Sequence, residues 1–233
     1  GGRTRDELSE LARRPGVHPA QDRCCMFAEP PRTRFDLHLK LAGFPVRISP
    51  WFWFTGLLLG LSGQRRGESD PAQVLLWVVA LLVSITIHEL GHAFAIRRYG
   101  WKSPIILYQL GGVATTEEGE SWLPNYNEHQ SNPQARIVLG LAGPAAGFVL
   151  AGLLIGVLFL LPIGFHFTLG NPVLGVGWDM ADTVPPRVRA LISYMLYINI
   201  FWVLVNLLPV YPHDGGQVAR ELMSRKNPQE GIE

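Results

Sequence analysis

The chain has 233 residues, is 48% hydrophobic and 17% charged, and carries a formal net charge of +1. This balance argues against a nucleic-acid partner, because the arginines are not gathered on one face or interleaved with exposed aromatic residues. The apolar residues are concentrated in blocks after residue 50, so the average composition conceals the pattern of a membrane protein.

The first fifty residues are rich in Arg, Asp, Glu and Pro, and residues 1–34 are predicted to form a polar cytoplasmic tail. Residues 35–49 alternate apolar and polar with period two on both sides of an Ala-Gly pair, which predicts a small hairpin at the membrane surface. The core is assigned to residues 50–222, and residues 223–233 are assigned to a C-terminal cytoplasmic tail.

Four hydrophobic blocks follow the hairpin, near residues 48–63, 73–96, 137–165 and 190–210. A helix needs roughly 20 residues to cross about 30 Å of hydrocarbon, and the first block is marginal by that measure. The predicted fold is therefore an all-α polytopic membrane protein with about four transmembrane helices and a small membrane-associated β element. Three spans with an interfacial first helix are the alternative.

The basic residues indicate the orientation of these spans. Sixteen of the twenty Lys and Arg residues lie in the N-terminal tail and hairpin, the loop after the second block and the C-terminal tail. The two remaining connections hold only Arg65, Arg66, Arg187 and Arg189. Because basic residues accumulate on the cytoplasmic side, both termini are expected to face the cytoplasm of a multi-pass cell-membrane protein.

The second block ends in the stretch HELGH, which places His88, Glu89 and His92 inside a hydrophobic helix. Residues i and i+4 share a helix face, so both imidazoles can reach one metal ion while Glu89 is placed to act as a general base. Ionisable groups in a spanning helix cost about 2 to 3 kcal/mol or more each when unpaired. A compensating ion or partner is therefore expected, and zinc suits two imidazoles and a carboxylate.

The best candidate for a third ligand is Asp214, in the stretch NLLPVYPHDGG. By the predicted orientation, the fourth block brings Asp214 to the depth of His88, and two prolines and two glycines interrupt the helix there. Broken backbone at such depth is tolerated where it is buried in protein or lines a wet cavity. His213 is a competing donor.

These motifs together carry a resemblance to a known family. HELGH on a membrane helix, followed more than a hundred residues later by N-x-x-P-x-x-P-x-D-G-G, resembles the site-2 protease family of intramembrane zinc metalloproteases. LYQLGGVA is similar to the family's Gly-Gly strand that enters the membrane, and GLAGPAAGF to its AGP-containing third helix. The resemblance covers about residues 44–222. His213 and Gly147 depart from residues common in the family.

The resemblance implies one Zn²⁺ per chain, with Glu89 as catalytic base. It implies hydrolysis of peptide bonds within or near transmembrane segments of membrane-anchored substrates, in regulated intramembrane proteolysis. A regulatory membrane partner or a homo-oligomer is compatible with it. The zinc ligands that it implies are His88, His92 and Asp214.

Three residues are candidates for substrate binding. Asn206 matches an asparagine of the family, and the resemblance implies that it binds near the substrate backbone. A helix–helix hydrogen bond is its alternative role. We hypothesise that Gly111 and Gly112 belong to a strand edge that accepts the extended substrate. A plain surface turn is the alternative there.

Two other functions remain open at this stage. A zinc-binding transporter or sensor also places His and Asp in membrane spans. A catalytically silent scaffold would hold no zinc.

Small residues recur at spacing four in the third block, as Gly143, Gly147 and Ala151 and then as Gly152 and Gly156. Such stripes allow two membrane helices to approach closely. They are predicted to pack the third span against the helix that carries HELGH.

Overall fold

A computed structural model describes residues 32–63, 70–100, 103–108, 111–114, 133–169, 176–210 and 213–226. Residues from Thr33 onward belong to one compact unit. Nearly all of the predicted N-terminal tail and the last seven residues of the predicted C-terminal tail lie outside the described residues.

The described part of the chain is mostly helical. Its helices are α1 (Pro50–Ser62), α2 (Pro71–Arg98), α3 (Pro133–Leu160), α4 (Pro186–Tyr197), α5 (Val203–Asn206) and α6 (Asp214–Lys226), with a π-helical turn at Ile198–Trp202 joining α4 to α5. Within these residues, three stretches are long and apolar enough to cross a membrane: α2, Gln134–Leu160 of α3, and Pro186–Asn206. The predicted architecture of apolar helices with a small β element is therefore present.

A four-stranded sheet supplies the β element, with strand order β1-β2-β3-β4. Its strands are β1 (Leu37–Leu41), β2 (Phe44–Ile48), β3 (Ile105–Tyr108) and β4 (Gly111–Ala114). The hairpin predicted near residue 42 is β1 and β2, and Ala42 and Gly43 both have positive φ, 51° and 84°, as a tight two-residue turn requires. β2 runs parallel to β3, and β3 and β4 are antiparallel.

β2 and α1 together run antiparallel to α2 along most of its length. Near the C-terminal end of α2, the Phe44 ring lies 5.1 Å from the Phe94 ring, measured between centroids. Near the other end, a Cβ built at Gly60 would lie 3.1 Å from the Val74 side chain. A five-residue strand and a thirteen-residue helix reach about 36 Å together, whereas α1 alone reaches only about 20 Å.

Two N-terminal caps explain where the first helices begin. The Ser49 side chain accepts a hydrogen bond from the Trp51 amide at the start of α1, and the Asp70 side chain accepts one from the Ala72 amide at the start of α2. Each helix begins with proline, whose missing N–H costs nothing in a first turn. The strand-to-helix change at Ser49 is thus encoded locally.

The third span packs closely against α2 through Gly91. A Cβ built at Gly91 would overlap the Ala142 carbonyl oxygen and lie 2.7 Å from the Ala146 Cβ. Gly147 approaches the fourth span instead, because a Cβ there would lie 2.6 Å from the Val203 Cγ2. α3 therefore packs against α2 on one side and against the segment around Val203 on another.

The predicted packing role of the small-residue stripe is correct for Gly143 and wrong for the rest of its glycines. Gly147 faces the fourth span rather than α2, and Cβ atoms built at Gly152 and Gly156 meet nothing within 4 Å. The physical reason is the helix period. At 100° per residue, Gly152 lies about 180° around the helix from Gly143.

A second hairpin lies between the third and fourth spans, in a connection that the sequence predicts to be a loop. β5 (His166–Leu169) pairs with β6 (Val176–Asp179) in antiparallel register. Phe165 and Met180 beside this hairpin are buried in one cluster with Ala151 of α3 and Leu196 of α4. The hairpin region therefore closes the end of the helix bundle opposite the HELGH stretch.

Candidate metal centre and active site

The HELGH stretch forms part of the last third of α2, as its apolar flanks predict. His88 and Glu89 are buried, with 6% and 4% of their surface exposed. The His88 and His92 Nε2 atoms lie 3.2 Å apart, and the ring centroids are separated by 4.9 Å. The i and i+4 spacing has therefore brought both imidazoles to one point beside the helix.

Asp214 reaches the same point from the first turn of α6. Its Oδ2 lies 3.1 Å from the His88 Nε2 and 3.4 Å from the His92 Nε2. Ligand atoms of the three residues all lie within 4.8 Å of one another. Residues 126 positions apart in the chain have thus converged on one small volume.

Gly215 explains how α6 can begin so close to the end of the fourth span. A Cβ at this residue would overlap the Leu207 carbonyl oxygen and lie 2.7 Å from the Leu208 carbonyl oxygen. Any side chain would push α6 away from these carbonyl groups. Because Asp214 is the adjacent residue, the same displacement would carry its carboxylate away from the imidazoles.

His213, the competing donor, lies outside this cluster. Its Nδ1 is 3.0 Å from the Val210 carbonyl oxygen. The group of ligating side chains in the described residues contains Asp214 and not its neighbour. The geometry therefore favours the carboxylate as the third ligand.

The donor set fits zinc. Two imidazole nitrogens and one carboxylate oxygen are the protein ligands of a common type of catalytic zinc site. His92 Nδ1 is 2.8 Å from the Leu139 carbonyl oxygen, which can only accept a hydrogen bond, so Nδ1 carries the proton and Nε2 keeps its lone pair for a metal. This contact could not be predicted from the sequence, since a backbone carbonyl has no signature there.

Gly143 forms a wall of the same site. A Cβ built there would overlap the His92 Nε2 and would lie 2.7 Å from the His88 Nε2. Only a residue without a side chain leaves room for both imidazoles beside α3. The spacing of this glycine in the sequence predicts a role in helix packing alone.

The remaining predicted site residues lie on α2, α5 and β4. Glu89 is buried in α2 next to His88. Asn206 is the last residue of α5 and is half-buried. Gly111 and Gly112 lie in β4, an edge strand of the described sheet that also contacts α2, the helix carrying the imidazoles.

The sequence model of peptidase family M50 matches residues 76–233. A zinc metalloprotease of Methanocaldococcus jannaschii is 28% identical over 192 residues, which cover 80% of this chain and 45% of the relative. Stage IV sporulation protein FB of Bacillus subtilis is 25% identical over 195 residues, which cover 83% of this chain and 51% of the relative. The chain thus spans about half the length of these curated relatives.

A solved structure of similar fold is the site-2 protease from Methanocaldococcus jannaschii. It matches with a TM-score of 0.50 and 22% sequence identity, covering 83% of this chain and 74% of that chain. The family match extends over two thirds of the sequence and includes every residue of the His88, His92 and Asp214 cluster. The resemblance noted from the motifs is confirmed, and the chain belongs to peptidase family M50.

Proposed function

We propose that the chain is a zinc-dependent intramembrane endopeptidase that cleaves membrane-anchored proteins within or near their transmembrane segments. The observation that carries this proposal is the convergence of His88, His92 and Asp214 in a bundle of apolar helices. Relatives named zinc metalloproteases support it. In the proposed site, His88, His92 and Asp214 hold one Zn²⁺ and Glu89 is the catalytic base.

The zinc that His88, His92 and Asp214 would hold would supply Lewis-acid chemistry, polarising the scissile carbonyl and acidifying the attacking water. The Glu89 carboxylate accepts a proton from the attacking water as the water oxygen bonds to the carbonyl carbon. Protonated Glu89 then donates that proton to the amide nitrogen as the C–N bond breaks. Burial of Glu89 shields this transfer from bulk solvent.

A transmembrane substrate must be unwound before its peptide bond is accessible, because helical carbonyl groups are engaged in hydrogen bonds. We propose that the unwound segment pairs with the edge of β4 opposite β3, where it would add a strand to the sheet. β4 supports this assignment because it is an edge strand among the described residues and lies against α2. Asn206 is proposed to hold the same segment through its side-chain amide.

Replacing Gly112 by Val is expected to reduce kcat/KM about tenfold, equivalent to ~1.4 kcal/mol, because a branched side chain obstructs close backbone approach at the edge. Zinc affinity should stay unchanged, since Gly112 pairs with Leu107 in the sheet and is not in the ligand cluster. Cleavage of a single-span substrate by purified protein measures the first quantity and chelator competition the second. Full activity of the Val variant would contradict the strand-edge assignment.

We further propose four membrane crossings, the first made jointly by β2 and α1. The antiparallel course of these two elements along α2 supports this count, although α1 alone is too short to span. With both termini cytoplasmic, the β5–β6 hairpin lies on the opposite side of the membrane. The proposed division is a tail to residue 34, a hairpin to residue 49, a core to residue 222 and a C-terminal tail, with β2 of the hairpin shared with the first crossing.

The orientation has a direct test. A reporter enzyme that is active only outside the cytoplasm should be active when inserted between β5 and β6 and inactive when fused after residue 233. This pattern of reporter activity is expected because Lys and Arg are concentrated in the tails and in the loop after α2. The reverse pattern of reporter activity would exclude the proposed orientation.

A further inference from the structure

We infer that Asn199 is a positioning residue for the proposed metal site, a role that rests on the proposed function. Its hydrogen bond to Ser84 fixes the fourth span, which leads to Asp214, against the helix that carries His88 and His92. Ser84 lies in α2 one helical turn before His88, and Asn199 lies in the π-helical turn. Their exposed fractions are 2% and 1%.

The hydrogen bond has a defined direction. The Asn199 Nδ2 donates to the Ser84 Oγ at 2.7 Å and to the Met195 carbonyl oxygen at 2.8 Å. Because a carbonyl oxygen can only accept, the contact with Met195 fixes which end of the amide faces it. Both amide hydrogens are therefore used, and the bond to Ser84 bridges two spans 115 residues apart.

The proposed site needs such a bridge because its ligands come from two separate elements. His88 and His92 share one rigid helix, so their spacing is set locally. Seven residues separate α5 from Asp214, so the position of the fourth span against α2 helps to set the position of Asp214, together with the packing of α6 on α3. A metal site tolerates little error in ligand geometry, so the bridge nearest the site has the greatest influence on it.

A series of contacts connects Asn199 to Asp214. Asn199 Oδ1 would lie 3.6 Å from a Cβ built at Gly147, and Val203, one turn further, packs on the same glycine. Leu207, one turn beyond that, contacts Gly215 through its carbonyl group. The registration set at Asn199 is therefore passed along one face of the fourth span to the residue beside Asp214.

The π-helical turn makes this registration sensitive. Its wider turn accommodates one extra residue, which rotates the following residues by about 100° relative to a continuous α-helix. The turn brings Val203 onto Gly147 and the Leu207 carbonyl onto Gly215. The Asn199 side chain lies between Ser84 of α2 and Gly147 of α3, and it holds the π-helical turn against α2.

A second hydrogen bond between the same two elements offers a matched control. The Tyr194 hydroxyl donates to the Gln73 Oε1 at 3.3 Å. Gln73 lies eleven residues before Ser84, or about 17 Å along α2, and further still from His88. Tyr194→Phe therefore removes a bond between the two spans without touching the region of the metal site.

The test measures zinc affinity of the purified full chain in detergent by competition with chelators of graded strength. Ser84→Ala and Asn199→Leu are expected to weaken zinc binding about 10- to 100-fold, the range for loss of a group that orients a metal ligand. Ser84→Thr, which keeps the hydroxyl, and Tyr194→Phe should bind as wild type does. The Co²⁺-loaded Ser84→Ala protein should also show an altered visible absorption spectrum.

A double-mutant cycle separates positioning of Asp214 from general stabilisation. In an Asp214→Ala background, Asn199→Leu should change zinc affinity less than about twofold, because the group it positions is gone. The same 10- to 100-fold loss in that background would overturn the inference, as would wild-type zinc affinity of Ser84→Ala. Wild-type zinc affinity of Ser84→Ala would overturn the inference alone, whereas an unmodified chain that bound no zinc would overturn the proposed function as well. The two failures are therefore distinguishable.

Discussion

Glu89→Gln is expected to reduce peptide-bond cleavage by about 10²- to 10⁴-fold, the usual contribution of a general acid–base group. Glutamine has the same size but cannot take a proton from the attacking water. Zinc binding should persist, because Glu89 is not among the clustered ligand atoms of His88, His92 and Asp214. Cleavage of a single-span substrate and the zinc content of the purified protein are the two measurements.

Glu221→Gln is the matched control for this change. Glu221 is in α6 and pairs with Arg136 of α3 at 2.7 Å, with the Arg136 side chain half exposed. Glutamine keeps a side-chain carbonyl oxygen that can accept a hydrogen bond from the half-exposed Arg136 guanidinium, so activity should remain within about fivefold of wild type. If Glu89→Gln cleaved as fast as wild type while holding zinc, Glu89 would not be the catalytic base. If the zinc-loaded wild type cleaved no substrate, a zinc-binding transporter or sensor would replace the protease as the favoured function.

The imidazole pair was predictable because its geometry is local. The i and i+4 spacing fixes the direction of two side chains on any helix, and the apolar residues around HELGH require a helix. The placement of Asp214 was predictable for a different reason. Breaks in a hydrophobic segment identify a place where backbone leaves the helix, and a carboxylate at that depth needs a partner.

The proposed first crossing shows a limit of predicting membrane spans from helix length. Residues 48–63 are too few for a full span at 1.5 Å per residue, which made this block marginal. In the proposed crossing β2 adds the missing length, because strand residues rise about 3.3 Å each. Hydropathy identifies apolar segments but does not say which part is strand, and the parallel pairing of β2 with β3 connects residues nearly sixty positions apart.

The surroundings of the metal site depended on contacts between helices that no sequence pattern specifies. The Leu139 carbonyl contributes through backbone alone, so any residue at that position supplies the same atom. Glycine recurrence identified α3 as a packing helix but not the neighbour of each glycine. The azimuth of a residue on the helix, rather than its spacing from the previous glycine, decides what it faces.

Gly143→Ala is expected to weaken zinc binding by more than about 100-fold and to abolish cleavage. The added methyl group would occupy the position of the His92 Nε2 and crowd the His88 Nε2. Movement of α3 away from α2 would open the close contact that Gly91 makes with Ala142 and Ala146 across the same interface. Such a movement is therefore unfavourable. The imidazoles must therefore turn away from Asp214, and loss of a properly directed ligand costs metal affinity directly. Chelator competition on the purified protein measures the change.

Gly152→Ala is the control on the same helix. A Cβ there meets nothing within 4 Å, so zinc affinity and cleavage should match wild type. Alanine also has the higher helix propensity by about 1 kcal/mol, so this variant should be at least as stable. The comparison therefore separates a methyl group on α3 in general from a methyl group directed at the imidazoles. Wild-type zinc affinity in Gly143→Ala would mean that His88 and His92 do not meet the metal through the nitrogens that face α3.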